Sequence, residues 1–144
     1  MPEEIIGIDH IFITVSDLAK SEAFYDRLFE ALGFRKESLP IGAEAHIHYY
    51  NQHFGYCLRP SRQADASHDP YSPGLHHLCF RVSDDAAVER VATDLGALGI
   101  EVSKPRFYPE YAADYFATFL ADPDGVRLEI RSFGEWRKRQ THNW

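Results

Sequence analysis

The chain alternates, then turns helical, and later does the same again. In "HIFITV" (10–15) the apolar positions Ile11, Ile13 and Val15 fall on one face of a strand. From 18 onward the period lengthens, and Phe24, Leu28, Ala31 and Leu32 share one helical face. The second copy begins at "HLCFRV" (77–82), where Leu78, Phe80 and Val82 alternate; Val88, Val91, Ala92, Leu95 and Leu98 then form a helical stripe. Ser16/Asp17 and Ser83/Asp84 stand where N-caps belong, and Gly33 and Gly99 where helices stop. Gly96, inside the second stripe, weakens that helix slightly.

The two stretches form an internal repeat. Val15-Ser16-Asp17 matches Val82-Ser83-Asp84, and Leu32-Gly33-Phe34 matches Leu98-Gly99-Ile100, which aligns His10 with His77. Short strand-like runs follow each helix, at roughly 34–38, 45–50 and 55–59 in the first copy and roughly 100–104, 115–121 and 126–131 in the second. Each copy therefore reads as βαβββ, and the chain as α+β. The modules span 5–60 and 75–133. Between them, "SRQADASHDPYSPG" (61–74) has the composition of a linker, and 134–144 is a basic, polar tail.

Composition narrows the function. A 144-residue chain suffices for one domain with a core. Fifteen basic against 22 acidic residues leave a net charge of -7, which argues against a nucleic-acid surface. No apolar run of about 18 residues is present, so no membrane span is expected. The start has no basic stretch leading into an apolar one, as a secretory signal would. Cys57 and Cys79 form no disulfide framework, so a reduced, cytoplasmic setting is expected.

Parity then sorts the strand faces. Ile11, Ile13 and Val15, with Leu78, Phe80 and Val82 and with Val126, Leu128 and Ile130, supply the faces that the amphipathic helices cover. The opposite faces carry His10, Phe12 and Thr14; His77, Cys79 and Arg81; and Arg127, Glu129 and Arg131. Such a polar face is costly unless it is wet or binds a metal. His76 belongs to the helix side or the strand mouth, so His77 is the candidate. Two imidazoles and one carboxylate make a facial triad with open positions, suited to a divalent transition metal that binds substrate oxygens.

The motifs "IDHIFITVSDLAKSEAFYDRLFEALGF", "GLHHLCFRVSD" and "FLADPDGVRLEI" resemble the vicinal oxygen chelate superfamily of glyoxalase I, bleomycin-resistance proteins, fosfomycin-resistance thiol transferases and extradiol dioxygenases. The resemblance covers about 5–133. It implies paired βαβββ modules curled into a half-open, cleft-bearing, eight-stranded barrel-like sheet around one metal. It places the metal ligands at His10, His77 and Glu129. Glyoxalase I uses a fourth ligand from the last strand of the first module. Aligning Gly55 with Gly125 puts Arg59 opposite Glu129, and arginine cannot ligate a metal. The parity neighbour is Cys57. The three-ligand set is nearer to the thiol transferases and dioxygenases.

Several residues are candidates for substrate contacts. Tyr108, Tyr111 and Tyr115 either close over a small ligand or pack a loop. His46 and His48 share a face with Tyr50 and either line the cleft or belong to an exposed edge strand. Arg59 and Arg81 either hold a substrate anion or neutralise nearby acids. The expected function is a metal-dependent lyase, isomerase or dioxygenase acting on a small oxygenated substrate. The cofactor would be one divalent ion among Fe, Mn, Ni, Zn and Co, and no nucleotide signature is present. The alternative is a sequestering protein of the bleomycin-resistance type. A homodimer is expected, with Phe133, Trp136 and Trp144 as candidate contacts.

Overall fold

A computed structural model describes residues 1–63 and 65–142. Two compact units divide the chain at 67/68. In unit one, β1 (His10–Val15), α1 (Leu18–Ala31), β2 (Arg35–Ile41), β3 (Glu44–Tyr50) and β4 (Gly55–Pro60) form a four-stranded sheet in the order β1-β4-β3-β2. In unit two, β5 (His77–Val82), α2 (Asp85–Ala97), β6 (Arg106–Phe107), β7 (Phe116–Ala121) and β8 (Arg127–Ser132) form the order β5-β8-β7-β6. The first strand of each sheet runs parallel to the last, and the other pairs are antiparallel. The two βαβββ modules are thus present as two separate four-stranded ladders, in place of one eight-stranded sheet.

Local chemistry explains the helices. The carboxylates of Asp17 and Asp84 accept from the amides of Lys20 (3.0 Å) and Ala87 (2.8 Å), so the aspartates rather than the preceding serines are the caps. α1 buries Phe24, Tyr25, Leu28 and Phe29, whereas Ala31 and Leu32 are half-buried. Phe29 meets the Tyr49 ring at 4.8 Å and the Tyr56 ring at 5.0 Å, and the Tyr25 and Tyr56 hydroxyls are hydrogen-bonded at 2.9 Å. α2 buries Val88, Val91, Ala92 and Leu95. Fully burying one such leucine contributes about 1.5–3 kcal/mol.

One expectation needs correction. The run at 100–104 does not join the ladder. Ser103 meets β7: its amide donates to the Phe119 carbonyl at 2.9 Å, its Oγ accepts from the Phe119 amide at 2.9 Å, and its carbonyl accepts from Thr118 Oγ1 at 2.6 Å. Pairing with β7 resumes only at Arg106–Phe107, after Pro105. The stretch 5–8 forms no strand and is exposed. The tail contains a helix, α3 (Glu135–His142), whose first amide is held by Asp114. Trp144 lies outside the described residues.

Candidate functional site

The strand faces follow the parity expected of them. In β1, Ile13 and Val15 are buried while His10, Phe12 and Thr14 are exposed. In unit two, β5 presents His77, Cys79 and Arg81, cross-paired with Arg127, Glu129 and Arg131 of β8.

This pairing brings His77 and Glu129 together. The His77 Nε2 lies 3.5 Å from Glu129 Oε2. The Glu129 carboxylate is only 2% exposed, so it needs partners. Its other oxygen accepts a hydrogen bond from the Tyr115 hydroxyl. Burial, and after it this bond, push the Tyr115 pKa well above the usual phenol range. The Arg131 guanidinium lies 3.8 Å over the Tyr115 ring. Tyr111 stands edge-on to Tyr115 at 5.2 Å and stacks on Tyr108 at 5.7 Å. Tyr115 is therefore a carboxylate partner, and the three rings form a row that ends on Glu129. Cys79 is exposed by area, but loss of hydration around its thiol, with the Glu129 charge adding to it, pushes its pKa up to about 12.

In unit one, His10 stands at the matching position of β1, and its Nδ1 is 2.6 Å from Asp9 Oδ2. The corresponding His77 Nδ1 is 2.8 Å from the Nδ1 of His76. Each histidine thus has Nδ1 engaged by the preceding residue, which leaves Nε2 for another partner. A carboxylate on the second ring nitrogen, as Asp9 is for His10, is a common way of holding a metal-binding imidazole. Two such rings and a carboxylate are donors that fit a divalent transition metal. Among the described residues, no three His, Cys, Asp or Glu side chains gather as one cluster. His77 and Glu129 form a pair, and His10 belongs to the other unit.

His10 borders a hollow of about 710 Å³ in unit one, lined also by Phe12, Glu37, His48, Tyr50, Phe54 and Cys57. The rings of His10 and His48 both meet Phe12 edge-on, at 5.5 and 5.9 Å. His48 Nε2 is buried and has no hydrogen-bond partner among the described residues. His46 is buried, and its Nδ1 donates to the Glu44 carbonyl at 3.0 Å. Arg59 is occupied, since it donates to Glu44 Oε2 at 2.7 Å, with Arg62 on the other oxygen. Arg81 instead lies 4.2 Å over the Phe133 ring.

The register also corrects the position opposite Glu129. Glu129 pairs with Cys79, two residues after His77; Cys57 pairs with Phe12, two residues after His10. The counterpart of Glu129 is therefore Cys57, and Arg59 is the counterpart of Arg131. Gly55 and Gly125 are not equivalent. Gly125 turns the chain at φ +82°, whereas Gly55 is a strand residue whose added Cβ would lie 3.3 Å from the His10 Cβ. Cys57 is buried, and loss of hydration, followed by the Asp9 charge, raises its pKa, so it is a thiol at neutral pH.

The sequence reading missed Asp9 and set His76 aside. The available signal was a polar residue directly before each repeated histidine.

Comparison with known proteins agrees with this architecture. The chain is 26% identical over 129 residues to the metallothiol transferase FosB of Bacillus licheniformis, covering 90% of this chain and 77% of that one. It is 30% identical over 133 residues to the uncharacterized protein YwkD of Bacillus subtilis, covering 86% and 94%. The glyoxylase/bleomycin resistance protein/dioxygenase domain from Frankia sp. EAN1pec shares the fold with a TM-score of 0.74 at 20% identity, covering 91% and 100%. The family model for the Glyoxalase/Bleomycin resistance protein/Dioxygenase superfamily matches residues 7–130, and the chain belongs to that superfamily.

Proposed function

We propose that the chain is a metal-dependent enzyme acting on a small oxygenated substrate, with His10, His77 and Glu129 as the protein donors to one divalent metal. The observation that carries this reading is the matched handling of the two histidines. Each opens the first strand of its module, and each has Nδ1 engaged by its neighbour. Glu129 adds a carboxylate oxygen 3.5 Å from His77 Nε2. When bound, such a metal supplies Lewis-acid stabilisation of a substrate oxyanion. The chain's own residues do the rest. Tyr115 holds one Glu129 oxygen and leaves the other toward His77. His48 lines the hollow beside His10, and its buried Nε2 has no hydrogen-bond partner among the described residues; this ring is the candidate to exchange a proton with a bound substrate. Arg81 is the candidate for an anionic group, because Arg59 is taken by Glu44.

The similarity to a metallothiol transferase supports a transferase among the open reaction classes, beside lyase, isomerase and dioxygenase. Family membership and the fully exposed edge strand β2 support a homodimer. The test is metal analysis of purified, dialysed protein. One divalent ion per chain is expected, and replacing His10, His77 or Glu129 by Ala should each abolish it. Unchanged stoichiometry in Glu129→Ala would sink the assignment. A metal-free protein that still binds small molecules would support the sequestering alternative.

A further inference from the structure

We propose that His76 is a positioning residue for His77, the acceptor that fixes the His77 ring with Nε2 turned toward Glu129. This inference rests on the reading of His77 as a metal donor. The two Nδ1 atoms lie 2.8 Å apart, so one must donate and the other accept. A neutral imidazole that gives its Nε2 lone pair to a metal carries its proton on Nδ1. His77 is then the donor and His76 the acceptor, with the His76 proton on its own Nε2. At His10 the same task falls to the Asp9 carboxylate, 2.6 Å from Nδ1. The two modules thus fill one slot, the residue before the strand's first histidine, with two different acceptors.

His76 is itself braced. Its ring meets Tyr71 edge-on at 5.4 Å. Tyr71 accepts a hydrogen bond from Arg127 Nη1 at 3.1 Å, and Arg127 is the cross-strand partner of His77. Tyr71 is fixed from below, because its amide donates to Asp69 Oδ1 at 2.9 Å. A loop of Arg127, Tyr71, His76 and His77 therefore closes on the strand that carries it. The segment with the composition of a linker supplies the brace.

The experiment uses the full chain and Co²⁺ as the probe. His76→Phe keeps a ring against Tyr71 and removes the acceptor. His76→Asn and His76→Asp restore an oxygen acceptor, the latter copying Asp9. Affinity is read by titration against a competing chelator. Solvent exchange of the cobalt-shifted imidazole N–H protons is read by proton NMR. In His76→Phe, Co²⁺ affinity should fall roughly 10- to 100-fold, and one shifted N–H should exchange faster. His76→Asn or His76→Asp should recover both, which mere loosening of the loop would not allow. If His76→Phe matches the native protein in affinity and exchange while His77→Ala loses Co²⁺, the positioning role alone is overturned. If His77→Ala leaves Co²⁺ affinity unchanged, the donor reading falls and this inference with it.

Discussion

Cys57 holds in the first sheet the register that Glu129 holds in the second: each faces the residue two positions beyond its module's first-strand histidine. A carboxylate at that place in the first module would complete a four-donor set. Cys57 is a buried thiol with a raised pKa and offers no negative charge at neutral pH. Glyoxalase I turnover of the glutathione hemithioacetal should therefore be absent or weak with any of the five candidate metals. Robust turnover in a standard absorbance assay would refute this.

Tyr115 makes the second prediction. Its phenol holds one oxygen of a carboxylate that is almost fully buried. Tyr115→Phe removes that donor and keeps the ring under Arg131. Loss of such a supporting bond typically weakens metal binding about 10- to 100-fold. Competition titration of the variant should show that loss with an unchanged far-UV spectrum. Native affinity in the variant would leave Tyr115 a packing residue only.

Much of this was legible in the sequence, because period and parity are local properties. The switch from alternation to a helical stripe located both βα units, and parity put His77 and Glu129 on one face without knowledge of the ladder. The misses have one cause: register and pairing are set across strands. Gly55 and Gly125 look alike along the chain, yet one lies against His10 and the other turns a corner. The run at 100–104 has strand-like composition, but the Ser103 hydroxyl takes the Phe119 amide that a regular ladder would have used. Tyr115 reads as a lid over ligand or as loop packing, and only the fold shows that its hydroxyl ends on Glu129.

Arg81 gives the third prediction. The sequence left open whether it meets a substrate anion or a structural acid. Arg59 is held by Glu44, whereas Arg81 rests on Phe133 and pairs with no carboxylate among the described residues. An exposed cation–π contact contributes about 0.5–1 kcal/mol, so Arg81→Met should change the denaturation midpoint little. A charged hydrogen bond to a ligand is worth about 1.5–3 kcal/mol. Anionic ligands should therefore lose roughly ten- to a hundredfold in affinity, and neutral analogues much less. Equal losses for both would remove Arg81 from the substrate contacts.

The last prediction concerns acid stability and Glu44. Its two carboxylate oxygens take Arg59 and Arg62 separately, at 2.7 Å each, which ties the start of β3 to the end of β4. The hydrogen bond from Arg62 acts first and the charge of Arg59 adds to it; both outweigh the loss of hydration and hold the Glu44 pKa below its ordinary 4.5. A carboxylate with a depressed folded-state pKa stabilises the fold above its unfolded value and loses that contribution as pH falls through the folded value. The effect is small, because Arg62 is open to solvent, Glu44 and Arg59 are only half-buried, and salt screens both pairs. Glu44→Gln should therefore have a slightly lower urea midpoint than the native chain at neutral pH. Well below pH 4.5 the two midpoints should converge, and high salt at neutral pH should narrow the gap as well. A gap that stays constant from neutral pH into the acid range would mean that Glu44 acts through packing, and the electrostatic account of this corner would fail.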